Sequence, residues 1–158
     1  DTELLPLFRA MAKGFAPVPG VPDARFSMLY VDDLAAAVLA WLGSDTTGSG
    51  VYTLEDGHAG GYDWREVADI VTGICNRRVR LMPVPEWLLD IVAGLNSLAA
   101  RVLGYAPMLT PEKLRELRHP DWVCDSEALQ AEIDWRPGFG LEAGLRATQG
   151  WPGYRELH

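Results

Sequence analysis

Few residues in this chain have a type and spacing suited to acid–base, nucleophilic or metal chemistry. Asp32-Asp33 stands out, because neighbouring carboxylates can divide the roles of general acid and general base. Their place between an apolar segment and a helix-forming one makes helix capping the better account of them. His58 lies close to Glu55 and Asp56, a carboxylate/imidazole grouping, although loop residues of these types are usually solvated. His119 stands in the loop sequence His119-Pro120-Asp121-Trp122, and Arg25, just before an apolar segment, could meet an anionic ligand. Ser44, Ser49 and Ser97 lack the G-x-S-x-G turn that exposes a hydrolase nucleophile. Cys75 and Cys124 belong to no C-x-x-C or Cys/His metal spacing and read as buried free thiols. That usage suits a reducing compartment, and a cytoplasmic location is expected.

Cofactor chemistry finds no local support either. The positions four residues beyond Tyr30, Tyr52, Tyr62, Tyr105 and Tyr154 are Leu34, Asp56, Glu66, Leu109 and His158, so no Tyr-x-x-x-Lys pair exists. The lysines are Lys13 and Lys113 alone, and neither follows a G-x-x-x-x-G phosphate loop. Gly57-His58-Ala59-Gly60-Gly61 lacks the G-x-G-x-x-G spacing that brings backbone up to a pyrophosphate, and reads as a flexible loop. No catalytic, cofactor-binding or metal-binding residue is therefore assigned within the chain.

Bulk properties narrow the field further. With 48% hydrophobic and 23% charged residues over 158 positions, the composition is that of one globular domain. A net charge of −8, with Asn76-Arg77-Arg78-Val79-Arg80 the main basic cluster, argues against nucleic acid as partner. The longest apolar run, 34–42, falls far short of the roughly 20 residues needed to span a bilayer, so no membrane partner is expected. No signal peptide is visible, and a first residue other than Met fits a piece of a longer protein.

The elements that must position any site follow from periodicity and punctuation. Leu4, Leu7, Phe8 and Met11 mark a helix over about 3–13, N-capped by Thr2. A proline- and glycine-rich stretch over 15–24 reads as extended loop with a short edge strand. Strands are expected at 26–31, 51–54 and 79–82, and a helix at 34–42 capped by Asp32 or Asp33. Asp63 and Glu66 have capping-box spacing, with Tyr62 and Val67 placed as a hydrophobic staple; Val67, Ile70, Val71 and Ile74 give the buried stripe that follows. Pro85 opens a long helix with Leu88, Ile91, Val92, Leu95, Leu98 and Val102 at three-four spacing. Further helices are expected at 110–118, at 126–133 behind Asp125, and at 141–151. About three short strands and six or seven helices make an α/β order, or α+β as an isolated piece, with too little sheet for a doubly wound domain.

Taken in order, these segments resemble the C-terminal half of extended short-chain dehydrogenases/reductases, the NAD-dependent epimerase/dehydratase superfamily. Arg25-Phe26-Ser27-Met28-Leu29-Tyr30-Val31-Asp32-Asp33-Leu34-Ala35 is similar to that family's strand followed by H-V-D-D-L-A. Gly50-Val51-Tyr52-Thr53-Leu54-Glu55-Asp56-Gly57 resembles its G-x-x-Y-N-L-G-D-G, and Tyr62-Asp63-Trp64-Arg65-Glu66-Val67 its next helix start, followed by Val84-Pro85. Trp122-Val123-Cys124-Asp125 with Ile133-Asp134-Trp135-Arg136-Pro137 looks like D-x-x-K-A-x-x-x-L-G-W-x-P, and Leu141-Glu142-Ala143-Gly144-Leu145 with Thr148 and Trp151 like the family ending. Tyr30 stands where His is usual, Asp134 where Gly is usual, and Phe26 where sugar-nucleotide members carry a phosphate-contacting Arg.

The resemblance implies a single substrate-binding domain over 1–158, with the Rossmann half and its Tyr/Lys pair outside this chain. NAD(P) would then belong to the full-length parent, and this chain would bind none and not be catalytic alone. The substrate would be a small molecule, nucleotide sugars among the classes implied. Its contacts would come from 18–26, 82–87 and 119–122, and so from Arg25, Phe26, Pro83, Trp87, His119 and Trp122. The partners expected are the N-terminal half and a second copy, since a missing sheet leaves apolar surface to cover. The alternatives are a non-catalytic accessory protein on the same scaffold, and a small free-standing enzyme using Asp32, Asp33 or His58.

Overall fold

The computed structural model describes residues 4–19, 21, 23–46, 50–104, 114–116 and 119–154. In chain order its first elements are α1 (Leu5–Ala12), β1 (Phe15–Pro19), β2 (Arg25–Phe26), α2 (Val31–Leu42), β3 (Tyr62–Asp63) and α3 (Trp64–Cys75). There follow β4 (Arg80–Val84), α4 (Glu86–Leu103), β5 (Asp121–Trp122), α5 (Glu127–Glu132) and α6 (Leu141–Ala147). The result is a mixed α/β arrangement of short strands and helices, with more and shorter strands than the three expected. It divides into two compact units: Asp1–Ala24 with Asp63–Asp121, and Arg25–Tyr62 with Trp122–His158.

In the first unit β1 and β4 form a parallel pair, in register from Phe15 opposite Arg80 to Pro19 opposite Val84. The short edge strand expected within 15–24 is thus the five-residue β1 at its start. Pro17, Pro19 and Pro83 are tolerated because each strand has one neighbour and so an unpaired edge. Ala16 and Val18 are buried, with Phe8 and Met11 of α1 and with Val67, Val71 and Ile74 of α3 also in the core. The capping box at the start of α3 forms as the spacing requires. Asp63 Oδ1 accepts from the Arg65 and Glu66 backbone N–H groups at 2.8 Å each, and Glu66 Oε2 accepts from Asp63 N–H at 2.9 Å. The helix ends on Asn76 in the left-handed region, at φ 50°.

Helix α4 has the expected length but an inverted pattern. Small Ala93 and Ala100 are the buried positions, whereas Trp87, Leu95 and Leu98 are 63%, 62% and 59% exposed and Leu88, Ile91 and Val92 are exposed too. Three-four spacing marks an apolar face without saying what covers it, and in this helix that face is exposed. The helix expected at 110–118 falls mostly outside the described residues, of which 114–116 are helical. Thr2, the expected cap of α1, lies outside them as well.

In the second unit the sheet order is β3-β2-β5, each strand being two residues long. The strand expected at 26–31 stops at Phe26 because the chain turns into α2 at Val31, three residues earlier than expected. Tyr30 is then the N-cap residue, and Asp32 and Asp33 lie in the first turn rather than capping it. Asp33 is buried, and its two carboxylate oxygens accept from the Gly138 and Phe139 N–H groups at 2.9 Å each. Val51–Leu54 forms no ladder, and Val51 is 100% exposed. Side chains tie it down instead: Thr53 Oγ1 donates to Asp125 O at 2.6 Å, and Glu55 N–H donates to Ser126 Oγ at 2.9 Å.

Because Ser126 Oγ is engaged with Glu55, it gives α5 no side-chain cap; Asp125 Oδ1 takes the Glu127 N–H at 3.1 Å in its place. Ala37, Leu129, Ile133 and Trp135 form the core here, packed by Leu29, Trp41, Tyr52 and Leu54. Helix α6 ends at Ala147, short of Trp151, whose indole N–H returns to Leu145 O at 2.8 Å.

Two buried-carboxylate bonds of this kind set a testable asymmetry. Asp33→Ala should cost about 1–3 kcal/mol in urea unfolding, since it leaves two backbone donors without their acceptor. Exposed Asp32→Ala should stay within about 0.5 kcal/mol. Equal losses at the two positions would remove Asp33 from its organising role.

Candidate functional site

The residues with the most concentrated polar geometry lie in the second unit, between the end of the 51–54 run and β3. Glu55 is buried; one carboxylate oxygen accepts from Gly57 N–H and the other lies 3.3 Å from the Ser126 hydroxyl. Asp56 uses both of its oxygens as well. Oδ1 accepts from His58 N–H at 3.2 Å and Oδ2 accepts from the Tyr62 hydroxyl at 2.7 Å. Gly61 N–H donates to His58 O at 3.0 Å, closing the turn. At Gly61, with φ 64°, a Cβ would stand 2.9 Å from both Phe26 O and Val123 Cγ2, so only glycine fits between β2 and the segment after β5. The run expected to be a flexible loop is therefore tied at each turn.

Onto this frame three side chains converge. The His58 ring stacks on Tyr62, with centroids 4.0 Å apart and planes 9° from parallel. Arg25 Nη2 donates to Gly61 O at 2.9 Å, and Gly60 lies under the same guanidinium. Burial first, and the hydrogen bond to Asp56 second, push the Tyr62 phenol well above its ordinary value near 10. The Leu141 N–H at 3.4 Å from the phenol oxygen works the other way. Tyr62 consequently holds its proton and points it at Asp56. It is a fixed donor, the opposite of a tyrosine whose acidity has been raised for proton transfer. The arrangement can orient an imidazole face, a guanidinium and a carboxylate; it holds no activated nucleophile.

The six residues expected to contact substrate divide between the units. Arg25, Phe26 and Trp122 come together on β2 and β5, where Ser27 N–H donates to Trp122 O at 3.1 Å and Trp122 is 55% exposed. Pro83 and Trp87 lie in the first unit where β4 passes into α4, both exposed. His119 belongs to the first unit also, its Nδ1 accepting from Asp121 N–H at 3.2 Å. Tyr62 went unnoticed as a polar partner because its sequence context marked it as a staple residue. The readable signal was an acid six positions upstream, separated from it by three glycines that permit reversal of the chain.

Five of the helix starts described here carry an acid in or beside the first turn, which offsets the positive helix end: Asp32 and Asp33 on α2, Asp63 and Glu66 on α3, Glu86 on α4, Glu127 on α5 and Glu142 on α6. Helix α1 has no such acid and begins with Pro6 in its first turn. Among the described residues, no group of three or more His, Cys, Asp or Glu could hold a metal ion.

The phenol shift has a direct consequence for pH. Below pH 10 the contribution of Tyr62 to stability is fully present; above it the unfolded chain ionises first, and stability falls as pH rises. Tyr30 and Tyr52 are raised too, by less, so ultraviolet titration should show one tyrosine ionising last of all, and Tyr62→Phe should remove that late step. A late step that survives the substitution would assign the shift elsewhere.

No family model matches the chain. It is 29% identical, over 159 aligned residues, to the ceramide reductase of Caulobacter vibrioides (strain NA1000 / CB15N), an alignment covering 96% of this chain and 46% of that protein. The chain thus spans about half the length of its curated relative. The crystal structure of gox2253 superposes on 84% of the chain with a TM-score of 0.51, using 39% of that protein at 20% identity, a likeness of fold. The chain accordingly has a distant, partial homology to an oxidoreductase, of the same general kind as the motif resemblance.

Proposed function

We propose that this chain is the substrate-side part of an NAD(P)-dependent oxidoreductase of the short-chain dehydrogenase/reductase type, with the dinucleotide site outside it. The observation that carries this reading is the alignment itself, which runs along nearly the whole chain yet takes up under half of a reductase. The acids in or beside the first turns of α2 to α6 support it, since each offsets the positive helix end that a pyrophosphate would meet. In this reading the cofactor supplies the hydride, and the residues of this chain decide what is presented to it.

The substrate class we favour is a lipid with a long apolar part. The curated relative is a ceramide reductase, and the aromatic candidates Trp87 and Trp122 are exposed beside apolar or sheet surface. A nucleotide sugar is the other class implied by the family resemblance. It would call for a cation against the diphosphate, but Phe26 falls at the position where the resembled family has its arginine, and Arg25 Nη2 donates to Gly61 O. Arg25, Phe26, Pro83, Trp87, His119 and Trp122 remain the proposed substrate contacts.

Calorimetric titration of the chain with NADH and with NADPH should give no measurable binding; micromolar binding of either would overturn the division of labour. A fluorescent short-chain ceramide analogue should bind, and Trp122→Ala should weaken it several-fold. A UDP-sugar that binds while the ceramide analogue does not would reverse the choice of substrate.

A further inference from the structure

We propose that the outward face of the β1–β4 pair, rimmed by Lys13, Arg77, Arg78 and Arg80, is a docking surface for an anionic phospholipid bilayer. The parallel register sets Phe15 beside Arg80 and Pro17 beside Met82. Alternate residues of a strand share a face, so these four lie on one side while fully buried Ala16 and Val18 lie on the other. Phe15 is 42% exposed and Met82 55%, large apolar groups on an open sheet face. The segments that carry the cations meet at Gly14. The Arg80 backbone N–H donates to Gly14 O at 3.0 Å, and the Arg77 side chain passes over Gly14, whose Cβ position would lie 3.6 Å from both Cδ and Nε. Lys13, Arg77, Arg78 and Arg80 are all exposed.

Charge complementarity selects the occupant. In a chain with 14 cationic and 22 acidic side chains, these four cations lie on segments that meet at Gly14. Along α3 the acids Glu66 and Asp69 lie in the first half, and Arg77 and Arg78 follow the cap at Asn76. The negative end of the helix dipole favours cations there, but it explains neither Arg80 on the strand nor the exposed Phe15 and Met82. A bilayer bearing anionic lipid meets both features, with charge for the rim and an interfacial layer for the apolar pair. Such contact requires no spanning segment, and among the described residues no helix is long and apolar enough to cross a membrane.

The test is co-sedimentation of the full chain with equimolar phosphatidylcholine/phosphatidylglycerol vesicles and with phosphatidylcholine alone. The anionic vesicles should pellet the chain, less so as salt is raised. Each cation near such a surface is worth about fivefold in partitioning. Arg77→Ser/Arg78→Ser should therefore lose about 25-fold with unchanged circular dichroism, and Arg136→Ser/Arg146→Ser in the second unit should bind as the parent does. Phe15→Ser/Met82→Ser should remove the salt-resistant part. Equal pelleting with both vesicles, no pelleting, or full binding by the Arg77/Arg78 variant would overturn the proposal. So would self-association abolished by Phe15→Ser without any vesicle binding, which would make this face a contact between copies. The proposed lipid-binding site by itself would take up both vesicles alike, so a preference for the anionic vesicles that the Arg77/Arg78 variant loses is what separates this proposal from the proposed substrate.

Discussion

A backbone amide that leaves water must find an acceptor, and strands of two residues supply very few. In the second unit that constraint is met by side-chain oxygens reaching across the sequence. Asp33 takes the Gly138 and Phe139 amides, Ser27 Oγ accepts from Cys124 N–H at 3.1 Å, and Ser126 takes the amide of Glu55. Asp56 and Glu55 do the same for the glycine turn. Each bond joins a short polar side chain to a segment that has no ladder of its own. Substituting any of them removes an acceptor that no neighbouring strand can replace.

The same economy shapes the candidate site. The Tyr62 hydroxyl, Asp56 and the His58 ring are held by the bonds that close the turn, so the surface offered to a ligand is built from structural parts. Arg25 is likewise engaged with backbone at Gly61 while its stem stands on β2 near Trp122. Stacked and aromatic groups held by bonds beneath them make an arrangement suited to holding a molecule and poor at activating one. That agrees with the proposed allotment of hydride chemistry to sequence beyond this chain.

Local signals were legible and distant ones were not. The capping box at Asp63 and Glu66 could be read directly because both partners lie within one turn of α3. The 51–54 run has the composition of a strand, but composition does not name a neighbour, and side-chain bonds to 125 and 126 hold it instead. Asp32-Asp33 looked like a cap because the partner of Asp33 lies 105 residues away. The stripe of α4 was readable as a stripe, and only packing could show that alanines take the inner side. For the site, Arg25, Phe26 and Trp122 were singled out through family resemblance, whereas Tyr62 as a donor emerged from the geometry alone.

The division of the chain carries a kinetic meaning. It passes between units at 24/25, 62/63 and 121/122, so neither unit is one continuous stretch. Ser27 and Cys124, 97 positions apart, must meet before the second unit has its hydrogen bonds, and by then 63–121 is a closed loop. Closing a loop that long costs entropy that grows only with the logarithm of its length, but it must be met before the long-range bonds form. A first unit that folds early would shorten the effective loop. Order of folding would then be written into the way the sequence is interleaved.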